Sequence, residues 1–229
     1  MLSVSTTEEW KTTHPGAMIG LLEVSGVMNN GASSPALNNL KREVESRLRL
    51  QYKEFSRSDL VALPAMVAYQ KYYKRFSKTY HVLLQLESIV LKGKSLPDVS
   101  PLVDSNFIAE VETLALTAGH DVAKLTAPIV MDVGRPGDQF TQMGGVVRSA
   151  LVGDMVMRDA LGLCCSIIHG QDDRSPISPL TEHALYVVYA PAGVPAEAVE
   201  AQLTGIEANI RLFCLEAVIE QKQILLAPA

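Results

Sequence analysis

The sequence predicts an α+β fold: a largely antiparallel, barrel-like β-sheet body with helices packed around it. Three observations point there. Apolar residues recur at three- and four-residue spacing through most of residues 34–114. Short β-type runs dominate from Ile129 to Tyr189. The two kinds of segment are gathered rather than alternated, which argues against a doubly wound parallel sheet.

Residues 1–15 read as a short helix or arm that ends at His14-Pro15. Ala17 to Met28 is rich in Ile, Leu and Val and stops at Asn29-Asn30-Gly31, so a strand and then a turn are expected. Ser34-Pro35 opens a helix, with Ser as N-cap and Pro at the first position. Its apolar face is Leu37, Leu40, Val44, Leu48 and Tyr52. Ser58-Asp59 is expected to cap a second helix reaching Tyr73, with Pro64 interrupting its first turns. Thr79 begins another, with Leu83, Leu86 and Val90 on one face.

From Leu91 to Asn106 the chain reads as helix stop, rigid turn, helix start. Gly93 suits a left-handed cap, Pro97 and Pro101 hold the link extended, and Asp104 or Ser105 is placed to cap the next helix. That helix puts Val103, Phe107, Val111 and Leu114 on its apolar side. Asn106, Glu110, Thr113 and Thr117 form a polar stripe on the other, open to two readings: a pocket wall or a solvated face. Beyond it, Ile129–Val133, Val146–Val152, Met155–Arg158, Leu161–Ile168 and Ala184–Tyr189 are β-type runs separated by glycine-rich turns and a polar loop from His169 to Ser175. Pro195 opens a last helix with the face Val199, Leu203, Ile206, Ile210 and Phe213. No repeat and no composition break divides the chain, so residues 1–229 are read as one domain.

Hydrophobic residues make up 48% of the chain, enough for a sizeable core. No apolar run reaches the roughly 18 residues of a membrane span. No basic-then-apolar leader pattern opens the sequence, so a cytoplasmic protein without a membrane partner is expected. Cys164 and Cys165 are adjacent and Cys214 stands apart, which draws neither a disulfide framework nor a four-cysteine zinc site. Neither a metal nor a cofactor is expected. Nucleophile-elbow, phosphate-loop and dinucleotide motifs are absent.

The net charge of −5 conceals an asymmetry. Residues 41–94 hold twelve Lys or Arg against five Asp or Glu, a charge of +7; the remainder holds eight against twenty, a charge of −12. Within that segment Lys71, Lys74, Arg75 and Lys78 interleave with Tyr69, Tyr72, Tyr73, Phe76 and Tyr80. Such a surface can hold phosphates and stack bases, which makes the four cations candidate nucleic-acid contacts. At helical spacing the same rings are equally suited to a core.

The run from Leu91 to Asp104, "Leu-Lys-Gly-Lys-Ser-Leu-Pro-Asp-Val-Ser-Pro-Leu-Val-Asp", resembles the editing and tRNA-binding region (the third and fourth modules) of the phenylalanyl-tRNA synthetase beta subunit, particularly its free-standing relatives. Further pieces occur in the same order: Asp121 to Leu125, Ile129 to Asp138, Gly153 to Cys164 and Thr181 to Val188. The resemblance implies that family's fold and, as partners, tRNA or another RNA, or an amino-acid-like ligand. The family's activity is hydrolysis of tRNA mischarged with tyrosine, a task that requires reading the tyrosine hydroxyl.

This chain departs from the family at the residues that do so. Asp104 and Asp121 are 17 apart, which sets the register. Asn106 and Phe107 stand where the family has a threonine-asparagine pair, Ala118 where it has a histidine, and Val187 where it has the hydroxyl-reading glutamate. Alanine and valine neither donate nor accept. The expectation is therefore a stand-alone RNA-binding or small-ligand-binding domain without tyrosine-editing chemistry. Its candidate pocket residues are Asn106, Glu110, Thr113, Ala118 and Val187. The alternative is a trans-acting aminoacyl-tRNA deacylase of different amino-acid specificity.

Overall fold

The structure is a computed structural model that describes residues 2–31 and 34–228. The chain runs β1 (Val4–Thr6), α1 (Glu8–Thr13), β2 (Met18–Ser25), α2 (Pro35–Gln51), α3 (Arg57–Val61), α4 (Pro64–Lys74), α5 (His81–Val90) and α6 (Pro101–Thr113). It continues through β3 (Thr117–Asp121), β4 (Ile129–Val133), β5 (Gln139–Gln142), β6 (Val146–Ser149), β7 (Met155–Asp159), β8 (Gly162–Ser166), β9 (Gly170–Gln171), β10 (His183–Ala190), α7 (Ala196–Arg211) and β11 (Val218–Leu226).

The fold is α+β. One sheet has the order β11-β2-β10-β3 and is antiparallel throughout. A second, β1-β4-β7-β8-β9, is antiparallel except for the parallel pair β1 and β4. The hairpin β5-β6 stands apart. The described strands close no barrel.

Strand alternation sorts the first sheet into two faces. Gly20, Leu22, Gly119, Tyr186 and Val188 share one, and α6 and α7 cover it: a Cβ on Gly20 would stand 2.8 Å from Val199, and the Tyr186 hydroxyl donates to the Leu102 carbonyl at 2.9 Å. Leu185, Val187 and Tyr189 face the second sheet. α6 and α7 approach closely because Gly205 meets Ala109, where an added Cβ would lie 3.1 Å away.

The tyrosines of α4 fasten the two sheets together. Tyr69 donates to the Tyr189 carbonyl at 2.8 Å. Tyr73 donates to the Ile167 carbonyl at 2.7 Å, and Tyr72 to Asp154 at 2.6 Å. Tyr69 also stacks on Tyr80, ring centroids 4.1 Å apart. All four rings are core; Phe76 is half-buried.

Several local expectations need correction. Pro64 does not interrupt a helix. It starts α4 at the first position, after α3, which Ser56 caps together with Asp59 in a capping box. Pro101 likewise opens α6, with Ser100 at the N-cap, so neither Asp104 nor Ser105 is the cap. The stripe Asn106, Glu110 and Thr113 is not a solvated face: Asn106 and Glu110 are buried, and Thr113 is hydrogen-bonded under α7. Val103 and Phe107 are instead the half-exposed side of α6. The residue pattern signals none of strands β1, β3, β5 and β11, and β3 begins at Thr117, which helical spacing assigns to the end of α6.

Candidate functional site

A cavity of about 440 Å³ lies beside β3, the edge strand of the antiparallel sheet, where that sheet meets α6 and the loop between β8 and β9. Val103, Asn106 and Phe107, at helical spacing on α6, form one wall. Thr117, Ala118 and Gly119 of β3 form the next. Cys165, Ile167 and Tyr189 close the inner end, and Met143, Gly170 and Ile177 edge the opening. Most of this surface is apolar.

The polar groups on the α6 side bind one another. Gln202 of α7 is the hub. Its amide nitrogen donates to Asn106 Oδ1 and Thr117 Oγ1, both at 2.9 Å, and its Oε1 accepts from Thr113 Oγ1 at 2.6 Å. Asn106 Nδ2 donates to the Thr117 carbonyl at 3.3 Å, and Glu110 Oε2 accepts the Thr117 N–H at 2.9 Å. Burial pushes the Glu110 carboxyl up to about 8, although the Thr117 N–H opposes the shift.

These bonds also pin the open edge of β3. The Tyr189 N–H donates to the Leu116 carbonyl, which sets the ladder phase: Ala118 and His120 pair with β10 while Thr117, Gly119 and Asp121 point outward. Both outward groups of Thr117 are taken by α6. The Gly119 carbonyl accepts from Gln171 at 2.8 Å, and the Asp121 N–H donates to the Ser175 carbonyl at 2.9 Å. The Gly119 N–H remains as an outward donor at the cavity wall. A Cβ there would lie 2.7 Å from the end of the Ile177 side chain and 3.2 Å from the Tyr186 ring, so a larger residue would have to push Ile177 aside.

At the inner end the Tyr189 hydroxyl is buried. The Cys165 thiol, a weak partner, is the polar side-chain group beside it. Burial pushes that thiol up to about 12, which leaves it protonated and a poor nucleophile. Ser166 donates to Asp154 and accepts the His169 N–H. His120, on β3, is enclosed rather than turned away on a helix end. Its Nδ1 is 2.8 Å from Ser175 Oγ, which donates to Asp172, and burial followed by the Arg174 charge lowers it to about 3.

Of the sequence candidates, Asn106 and Ala118 lie together in the cavity lining. Glu110 and Thr113 lie one and two turns further along the same helix, behind Thr117. Val187 pairs with Ala118 across the ladder, but on an inner strand it is wholly buried and lines nothing. Lys71, Lys74, Arg75 and Lys78 are exposed along and just beyond α4. Arg75 covers the Tyr72 and Phe76 rings at 5.4 Å. The Lys78 charge, after burial, helps lower the His169 pKa. Sequence reasoning missed Gln202, Gly119 and Tyr189. Gln202 alone left a trace, as a polar residue one position before Leu203 on the apolar face of the last helix.

Among the described residues no group of three or more His, Cys, Asp or Glu is placed to hold a metal ion. No helix is long and apolar enough to cross a membrane among the same residues.

No protein-family profile and no curated protein matches the sequence. Among solved structures, an N-terminal fragment of the phenylalanyl-tRNA synthetase beta subunit from Pyrococcus horikoshii is similar, at 10% identity and a TM-score of 0.47. The match covers 91% of this chain and 48% of that fragment, so the chain spans about half its length. The resemblance is structural and distant.

Proposed function

We propose that the chain is a single-domain cytoplasmic binding module, and that its working site is the cavity beside β3. It seats a compact apolar group, carried by a small ligand or by the end of an RNA, and does not perform tyrosine editing. The observation that carries this reading is the state of the groups around the cavity. The α6-side polar atoms are spent on fixing α6, α7 and β3, while the remaining wall is open and mostly apolar, with His81, Ser166 and Gln171 as its polar side chains. A cavity of this size with few directional groups is what small-ligand sites offer. The Gly119 N–H and the exposed His81 ring are the directional groups left for a ligand.

Hydrolysis needs a group that activates water at neutral pH. The Cys165 thiol is held protonated, His120 is sealed behind β3, and the Glu110 carboxyl is committed to Thr117. The RNA form of the reading adds Lys71, Lys74, Arg75 and Lys78, which lead along α4 toward the mouth.

The test uses a neutral aromatic probe, indole, with heteronuclear NMR titration of the intact chain. Saturable shifts at Ala118 and Gly119, lost in Ala118→Trp, are expected. Shifts that do not saturate, or that survive Ala118→Trp, would remove the cavity reading. A panel of mischarged tRNAs should show no deacylation. Turnover lost in Asn106→Ala would instead establish the deacylase.

A further inference from the structure

We infer that the cavity selects small apolar organic acids, with the carboxylate at the mouth and the hydrocarbon body inside, and rejects α-amino acids of the same shape. This rests on the cavity being the binding site, and adds the charge of its ligand.

The mouth carries cations from separate parts of the chain. Gly170 lines the cavity, and His169 precedes it. Arg148 of β6 donates to Gln142 Oε1 at 3.0 Å, and the Gln142 amide in turn donates to the His169 carbonyl. Gln142 precedes Met143, itself at the opening. Arg148 is thus tied by hydrogen bonds to the loop that edges the mouth. Burial first, then the Lys78 and Arg148 charges, lower the His169 pKa, so Lys78 adds a second positive charge felt at that loop. Neither Lys78 nor Arg148 makes an ion pair among the described residues. Their charge is therefore available to an incoming anion.

The lining holds no counterpart for an ammonium, since none of the residues that form it is Asp or Glu. The acids just behind it are occupied. Asp154 accepts from Tyr72, Ser166 and the Ile168 N–H. Asp172 accepts from Ser175 and pairs with Arg174. Glu110 is turned to Thr117. Asp173, the exposed acid of the same loop, is outweighed by Lys78 and Arg148. An α-amino acid would bring its carboxylate to the rim and set its ammonium beside the half-exposed Val103, Phe107 and Ile177, which offer it no anionic partner, close to the Arg148 cation. A cation placed beside a like charge with no acid to pair it is disfavoured.

The experiment compares 3-phenylpropionate with phenylalanine by isothermal titration of the intact chain. The two differ only in the ammonium. The acid should bind at least about tenfold tighter, a modest ratio for one unpaired charge. Arg148→Gln and Lys78→Gln should each weaken the acid by about threefold or more at low salt, and leave indole binding unchanged. Equal or tighter binding of phenylalanine overturns the inference, as does an acid affinity indifferent to both variants. Indole binding without binding of either acid overturns it too, while leaving the cavity reading intact. Loss of indole binding as well removes both.

Discussion

Lys41 Nζ lies 2.8 Å from Asp104 Oδ2, and both side chains are wholly buried. The same ammonium reaches Asp98 Oδ1 at 2.7 Å and the Pro97 carbonyl at 2.9 Å. Asp104 Oδ1 accepts the Val99 N–H at 3.1 Å. The proline-rich turn before α6 is thus a clamp that ties α2 to the first turn of α6, the helix that forms the cavity wall. Lys41 sits at the start of the +7 segment yet adds nothing to a surface field.

Lys41→Ala should cost about 3–5 kcal/mol, because it strands a buried carboxylate. The double variant Lys41→Met with Asp104→Asn should recover most of that loss, since the amide oxygen still accepts from Val99. Urea unfolding of the three proteins measures both quantities. A cost below about 1 kcal/mol for Lys41→Ala would mean that water reaches the pair.

Two buried tyrosines should respond unequally to loss of the hydroxyl. Tyr69 Oη accepts the Leu116 N–H at 2.9 Å and donates to the Tyr189 carbonyl. Tyr69→Phe leaves two buried backbone groups unpaired and should cost about 1–3 kcal/mol. The Tyr189 hydroxyl serves no backbone group and has only the weak Cys165 thiol beside it, so Tyr189→Phe should change stability by less than about 0.5 kcal/mol. Thermal and denaturant unfolding would show the contrast, and equal costs would contradict the hydrogen-bond pattern.

Where a local signal and its cause coincided, the sequence was readable. Ser34 does cap α2, accepting the Leu37 N–H at 3.1 Å, and β4 spans Ile129–Val133 as its apolar run suggests. β3 was hidden because Thr117-Ala-Gly-His-Asp121 has no β-type composition; it is a strand because β10 pairs one edge and side chains of α6 satisfy the other. β11 carries Glu220, Gln221, Lys222 and Gln223 in sequence, as an edge strand with one solvated side can. Asn106 is legible as part of the polar stripe of α6, and Ala118 only through the register that the family resemblance sets on Asp104 and Asp121. Gln202 and Tyr189 were out of reach, because their roles arise only once α7 and β10 are packed.

For RNA, the surface to test is Lys71, Lys74 and Lys78. Arg75 is better left in place, since its guanidinium covers two rings and its loss would mix packing with charge. Replacing the three lysines with Glu should abolish binding of tRNA, and the wild-type affinity should fall steeply as salt is raised fourfold. Filter binding or fluorescence anisotropy across a salt series reads both. An affinity unmoved by the triple change would place any RNA contact elsewhere.

Glu110 makes stability depend on pH in an unusual direction. Its folded-state pKa is about 8 against an ordinary 4.5, so the native protein keeps a proton that the unfolded chain releases. Its contribution is full below about 4.5, falls as pH rises, and is lost once pH passes about 8. Asp154, raised by burial to about 6, acts in the same sense but is exhausted by then. His14 and His120, lowered by burial to about 4 and about 3, act in the opposite sense below the ordinary histidine value of 6.5. The buried Cys164 and Cys165 thiols, raised from 9, act in the same sense as Glu110 but only nearer pH 9, so the window from pH 7 to 8 isolates Glu110. Wild-type stability should drop there by about 1 kcal/mol. Glu110→Gln keeps an acceptor for the Thr117 N–H but cannot ionise, so its stability should stay flat across the window. Denaturant unfolding at the two pH values decides the matter. Parallel loss in both proteins would assign the titration to another group and leave Glu110 ionised in the fold.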